Sequence, residues 1–200
     1  MKKKIIITGG LGYIGTELCK LYSGVSWNNE IVVIDNRFIS ERVNQIRNWN
    51  MEFIHGDILD KELINKYCKD ADVIHHLAGI TEVPRTKSES SEEKDKKIKL
   101  VAQEGTQNII DVISDKCKIV FPSTHVVYEG IDKVKDNISE DEGLKPVLSY
   151  SVSKAENEKQ LKKSGKNYII LRLGSVHGYS NDTARLDIMP NLFSKITSQN

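Results

Sequence analysis

Six short runs rich in isoleucine, valine and leucine alternate with stretches of helical periodicity along most of this 200-residue chain. That alternation restricts the fold to strand and crossover-helix units building a parallel sheet. The runs are Lys4–Thr8, Glu30–Ile34, Met51–Ile54, Val73–Leu77, Lys118–Pro122 and Tyr168–Arg172. Their near-continuous apolar content suits strands covered on both faces. Helices are predicted over Tyr13–Tyr22, Ser40–Asn48, Lys61–Cys68, Glu92–Ser114 and Leu148–Ser164. Right-handed crossovers then give an α/β, doubly wound parallel sheet with helices on both faces, in strand order 3-2-1-4-5-6.

The first strand runs directly into Gly9-Gly10-Leu11-Gly12-Tyr13-Ile14-Gly15. Glycines at 9, 12 and 15 let the backbone turn tightly, approach a pyrophosphate and pack the next helix on the sheet, while the helix N-terminus offers N–H donors. An acidic residue, Asp35, stands twenty positions after Gly15 at the end of the second strand. This spacing marks a dinucleotide-binding Rossmann fold. Asp35 is expected to accept hydrogen bonds from the adenosine ribose hydroxyls and repel a 2′-phosphate, which predicts NAD over NADP. Arg37, two residues on, argues weakly the other way.

Composition narrows the partners. A net charge of +1 with 28% charged residues gives no general attraction to nucleic acid or to an anionic membrane. The opening Met-Lys-Lys-Lys and three isoleucines form too short an apolar run for a signal-peptide core or a membrane span. Cys19, Cys68 and Cys117 are far apart, lack CxxC spacing and lie in or beside apolar segments. They read as buried reduced thiols, which suits a cytoplasmic protein. No metal site is expected. Lys87–Lys97 is a mixed-sign run read as a solvated loop and first helical turns. The stripe that follows it, Ile98, Val101, Ile109, Ile110 and Ile113, covers more than one narrow face, which leaves room for a homodimer contact.

Several strand ends carry candidate site residues. Asp57-Ile58 follows the third strand, where a loop can reach an adenine edge, and the fourth closes on His76-Leu77-Ala78-Gly79, whose small residues let backbone pass close to a cofactor. His75 and His76 read as ordinary strand-end residues without a catalytic role. Ser123-Thr124 ends the fifth strand at the carboxyl edge, where doubly wound sheets place ligands and where a hydroxyl can hold a substrate oxygen.

Tyr150 and Lys154, four residues apart in Tyr-Ser-Val-Ser-Lys, share one helix face. An ammonium beside a phenol favours the ionised phenol. Proton transfer at neutral pH needs a shift of roughly 3 units from about 10, or about 4 kcal/mol, which the lysine and a cationic nicotinamide ring together can supply. With the glycine loop, the pair points to hydride chemistry on a bound nicotinamide.

These segments, together with Asp35-Asn36, Ser123-Thr124-His125-Val126-Val127-Tyr128 and Leu171-Arg172-Leu173-Gly174-Ser175-Val176-His177-Gly178, resemble the extended short-chain dehydrogenase/reductase superfamily. The similarity is to its NAD-dependent epimerase/dehydratase family, which acts on nucleotide sugars. It implies a catalytic triad of Thr124, Tyr150 and Lys154, Thr124 being selected over Ser123 by its distance to Tyr128. It also implies cofactor contacts from Gly9, Gly12, Tyr13, Ile14, Gly15, Asp35, Asn36, Asp57, Ile58, Leu77, Ala78, Gly79, Tyr150 and Lys154. In such a site the tyrosine takes a proton from a sugar hydroxyl while NAD accepts hydride; in epimerases the hydride then returns to the other face.

Three departures refine that expectation. Nucleotide-sugar 4,6-dehydratases carry Asp-Glu after the threonine, where this chain has His125 and Val126, which disfavours dehydration. Ala102 replaces an asparagine before Gly105-Thr106, and Ser175 replaces another near the substrate lobe. Family members also continue for on the order of a hundred further residues that grip the substrate. Residues 1–175 are therefore read as an NAD-binding domain and 176–200, with one candidate helix at Met189–Ile196, as the irregular start of an incomplete substrate lobe. The expected function is an NAD-dependent nucleotide-sugar epimerase, this chain alone being weakly active or inactive because remote binding energy is missing. A nucleotide-sugar reductase or dehydrogenase and a non-catalytic dinucleotide sensor are the alternatives.

Overall fold

A computed structural model describes residues 2–81, 89–180 and 189–199. The strands are β1 (Lys4–Thr8), β2 (Glu30–Asp35), β3 (Glu52–His55), β4 (Val73–His76), β5 (Lys118–Thr124) and β6 (Asn167–Leu173). The helices are α1 (Tyr13–Ser23), α2 (Ser40–Asn48), α3 (Lys61–Cys68), α4 (Glu92–Val112), α5 (Ser149–Lys163) and α6 (Met189–Ser198). The sheet order is β3-β2-β1-β4-β5-β6, parallel throughout, as the alternation predicts.

Side chains alternate between the two faces of the sheet, and each face has its own apolar core. Ile5, Ile7, Ile31, Val33 and Phe53 pack against Leu11 and against Cys19 of α1 and Val43 and Ile46 of α2. Ile6, Val32, Ile34, Ile74, Ile119 and Phe121 pack against Ile64 of α3, Ile109 of α4 and Leu161 of α5. Because β1 and β2 are covered on both sides, an uninterrupted Ile/Val run is the only sequence that buries well there. All three cysteines are buried and unpaired, and burial pushes the Cys19 and Cys68 thiols up to about 12. Among the described residues no helix is long and apolar enough to cross a membrane.

Element ends depart from the sequence expectation by one to two residues. β5 runs on through Ser123 and Thr124 because β6 offers them Arg172 and Leu173 in register. β4 stops at His76, since the Leu77 N–H turns to the carbonyls of Thr8 and His75. α4 stops at Val112 because Ile113 adopts extended backbone while its side chain stays in the core. Of the charge run, residues 87 and 88 lie outside the described residues and Glu92 to Lys97 form the first turns of α4. The N-terminus of α4 is capped by Ser91, which accepts the Lys94 N–H.

Candidate active site

The carboxyl ends of β1, β2 and β4 meet at the glycine loop. Gly9 sits at φ +72°, and a Cβ there would stand 2.7 Å from the Ala78 nitrogen, so any side chain would push β1 and β4 apart. A Cβ at Gly15 would stand 2.3 Å from the Gly9 carbonyl oxygen and drive α1 off the loop. Gly12 differs: its backbone is one any residue adopts, and a Cβ would meet the Gly9 oxygen only at 3.1 Å. What Gly12 keeps clear is the space over the start of α1. That helix begins with no side-chain cap and no acidic residue in its first turn, which leaves its N-terminal dipole available to an anion.

Asp35 is buried at the end of β2. One carboxylate oxygen accepts the Leu11 N–H at 2.9 Å, and the other accepts the Arg37 N–H at 3.0 Å and its Nε at 3.3 Å. Aspartate thus orders the glycine loop, while the half-exposed Arg37 side chain lies along it. Asn36 donates to Asp57 Oδ2 at 2.9 Å, joining the loops after β2 and β3. Ile58 turns its side chain into the core against Gly105, and its carbonyl accepts Asn108 Nδ2 at 3.0 Å. Only its remaining backbone can face a ligand. Tyr13 donates its phenol to the Gly178 carbonyl, and Asn191 of α6 accepts the Gly178 N–H at 3.0 Å. Tyr13 therefore ties the C-terminal segment to the loop, and Ile14 beside it is exposed.

A narrow crevice lies beyond, lined by Ala78, Gly79, Ala102, Phe121, Tyr150 and Lys154 among others. The small residues at 78, 79 and 102 leave it open on one side. Leu77 points instead into the core beneath the glycine loop. Lys154 Nζ donates to the Pro122 carbonyl at 2.8 Å, lies 4.5 Å from the Phe121 ring centre and 5.9 Å from that of Tyr150. Burial pulls this ammonium down to about 8. It is a cation held with little water, beside the Tyr150 ring. Thr124 caps the short 3-10 turn His125–Tyr128 by accepting the Val126 N–H at 3.3 Å. Its neighbour Ser123 faces the other way and donates to Glu158 Oε1 at 2.6 Å. Of the two hydroxyls, only that of Thr124 stays clear of the Glu158 carboxylate.

Two buried polar networks under this crevice escaped the sequence reading. The first threads from Thr8 to His76 Nδ1 at 2.9 Å, from His76 Nε2 to Thr106 at 3.0 Å, and on to Asn157, which also donates to the Ala102 carbonyl at 2.8 Å. Burial, helped by the Lys154 charge, pushes His76 down to about 3, so the neutral ring joins Thr8 to Thr106. The second is the pair Glu158–Arg172. Arg172 donates to both carboxylate oxygens, at 3.1 and 2.8 Å, to the Tyr128 phenol and to the Glu140 carbonyl at 2.8 Å. Burial alone would raise the Glu158 carboxyl, but hydrogen bonds from Arg172 and Ser123 and the charges of Arg172 and Lys162 hold it below the usual carboxylate range. One signal was available: Glu158 continues the four-residue spacing of Tyr150 and Lys154 on the same helix face.

The chain as a whole is similar to several known proteins. Over 197 residues the chain is 28% identical to dTDP-D-glucose 4,6-dehydratase of Dictyostelium discoideum, covering 88% of the chain and 44% of that protein. It is 32% identical over 149 residues to CDP-paratose 2-epimerase of Salmonella typhi, covering 68% of the chain and 41% of the relative. The chain thus spans less than half the length of these curated relatives. Among solved structures, the Bordetella bronchiseptica enzyme WbmH in complex with NAD+ superposes with a TM-score of 0.77 at 25% identity, over all of this chain and 64% of that one. A UDP-N-acetylglucosamine 4-epimerase from Methanobrevibacter ruminantium M1 gives 0.74 at 25% identity, over 100% and 64%. The NAD dependent epimerase/dehydratase family matches residues 5–200, and the chain belongs to that family.

Proposed function

We propose that this chain carries the cofactor-binding and proton-transfer machinery of an NAD-dependent nucleotide-sugar epimerase. The observation that carries the reading is that Ala78, against which Gly9 packs too closely to bear a side chain, also lines the crevice that holds Tyr150 and Lys154. The donor set fits a dinucleotide: an uncapped helix start and open backbone at Gly12 for a pyrophosphate, and the Asp35 carboxylate at the end of β2 for ribose hydroxyls. Asn36, Asp57 and the backbone at Ile58 form the rim where an adenine would rest, and Ala78 and Gly79 the floor between the two ends.

When bound, NAD supplies a reversible hydride acceptor. Tyr150 removes the proton from a sugar hydroxyl and later returns it. Lys154 stabilises the phenolate and, released from the Pro122 carbonyl, reaches a ribose hydroxyl. Thr124 donates to or accepts from the reacting oxygen and holds it in line with the phenol. His125 and Val126 after Thr124 bring no carboxylate for eliminating water, which favours epimerisation over dehydration. Residues 176–200 begin a substrate-binding lobe of a cytoplasmic protein; the stripe Ile98, Ile109, Ile110 and Ile113, expected to leave room for a homodimer contact, is spent on the chain's own core.

Calorimetric titration with NAD+ and NADP+ tests the reading. Tighter binding of NAD+ is expected; tighter NADP+, or neither binding, overturns it. A nucleotide sugar converted with no net change at 340 nm marks an epimerase, whereas accumulating NADH marks a dehydrogenase.

A further inference from the structure

α5 carries Tyr150 in its first turn yet has no N-terminal cap of its own, because the capping position is Leu148. Leucine is among the poorest residues there, and an uncapped start frays. A carboxylate nineteen residues before Leu148 holds the entry to the helix instead. A single oxygen of Glu129 accepts the Val147 N–H at 2.8 Å, the Leu148 N–H at 2.7 Å and the Ser151 hydroxyl. The single Ser151 hydroxyl proton is shared with the Leu148 carbonyl, 2.9 Å away, which closes the turn around the tyrosine.

The chain brings Glu129 there by a tight closure. The Lys145 N–H donates to the Val127 carbonyl at 2.9 Å and the Gly130 N–H to the Lys145 carbonyl at 2.8 Å. Gly130 is required at that approach, since a Cβ would stand 2.6 Å from the Lys145 oxygen. Glu129 itself follows the 3-10 turn that Thr124 caps. One carboxylate therefore links the hydroxyl-bearing end of β5 to the phenol-bearing start of α5.

We propose that Glu129 is a positioning residue, which fixes the first turn of α5 and with it the placement of the Tyr150 phenol relative to Thr124 and Lys154. The role rests on the function proposed above but is read without it. Its negative charge also suits the helix start. Burial alone would raise its carboxyl, but the Ser151 hydroxyl and the Leu148 and Val147 N–H groups outweigh that and hold it ionised.

The experiment compares the parent chain with Glu129→Gln and Glu129→Ala. Gln keeps the accepting oxygen and Ala removes it, while both lose the charge, so their difference isolates position from electrostatics. The Tyr150 phenol is titrated by ultraviolet absorbance, each protein being referenced to its Tyr150→Phe counterpart, and amide exchange is followed over residues 147–151. Glu129→Ala is expected to titrate at least about half a unit above Glu129→Gln, as the phenol drifts from the Lys154 ammonium, and to exchange those amides about tenfold faster while β1 and β2 stay protected. Equal phenol titration and equal exchange in Gln and Ala overturn the proposal. Should Glu129→Ala not fold, Ser151→Ala, which removes one of the three bonds and keeps the charge, must show the same two changes in smaller measure; no change there overturns it equally. Parent protein that fails to bind NAD+ while the variants still differ refutes the proposed function and leaves the positioning role standing.

Discussion

The two sides of the sheet are held together by different forces. On the β1–β2 side, Ile6, Ile7, Val32 and Val33 are completely buried and cohesion is apolar on both faces. On the far side, β6 presents residues of the same kind, Tyr168, Ile169 and Leu171, about 40% exposed. There, β5, β6 and α5 are knitted instead by Ser123, Glu158, Arg172 and Tyr128. Apolar burial is non-directional and makes a tolerant scaffold for the glycine loop. A buried, multiply bonded ion pair costs desolvation but has one geometry, and it lies behind Thr124 and the helix of Tyr150, the residues proposed to orient a proton transfer.

Arg172→Met tests the charged side most severely. It leaves the Glu158 carboxylate buried with, among the described residues, only Lys162 paired to it at 3.9 Å, and should cost about 3–4 kcal/mol in urea unfolding. A loss below about 1 kcal/mol would mean that the network does not hold this side. The pair also gives the region an acid limit. Because the folded-state pKa of Glu158 lies below its unfolded value near 4.3, its contribution is complete above that pH and is lost as pH falls through the folded value. Amide protection of β6 and α5 should therefore fail in acid before that of β1 and β2; simultaneous loss would show that one cooperative unit spans both.

The apolar contrast is probed by a matched pair. Ile7→Ala removes a fully buried side chain from the central strand and should cost about 3 kcal/mol, whereas Ile169→Ala on β6, 41% exposed, should cost under about 1 kcal/mol. Equal costs would indicate that the exposed face of β6 is covered in solution.

The same contrast explains what could be read beforehand. The Ile and Val runs located the strands because burial on both faces leaves a local signature that needs no knowledge of partners, and right-handed crossovers then gave their order. Asp35 and the glycines stood out for the same reason, each being set by backbone next to it. The bonds from Glu129 to Leu148, from Glu158 to Arg172 and from His76 to Thr106 span 19, 14 and 30 residues, and charged or polar residues at such separations repeat with no period. Nor did the sequence reveal that Tyr13, counted with the cofactor residues, spends its phenol on the Gly178 carbonyl. Strand ends shifted where the neighbour decided them, as at Thr124 opposite Leu173.

Lys154 stands between the two sides and sets its proposed role against stability. Its ammonium, pulled down to about 8 by burial, is retained although the charge is disfavoured where it sits. Lys154→Met keeps the stem over Phe121 and removes the charge, so at pH 7 the variant should be more stable than the parent by about 1 kcal/mol, while NAD+ binding weakens and the Tyr150 phenol titrates higher. The sign follows from proton counting. Between about 8 and the unfolded value near 10.4, the unfolded parent holds a proton that the folded parent has released, so parent stability rises with pH across that window. Methionine has no such rise, and the advantage of the variant should shrink as pH climbs from 7 to 9.5. A constant gap, or a parent already more stable at pH 7, would show that the Pro122 carbonyl and the Phe121 ring fully replace the water this ammonium has lost.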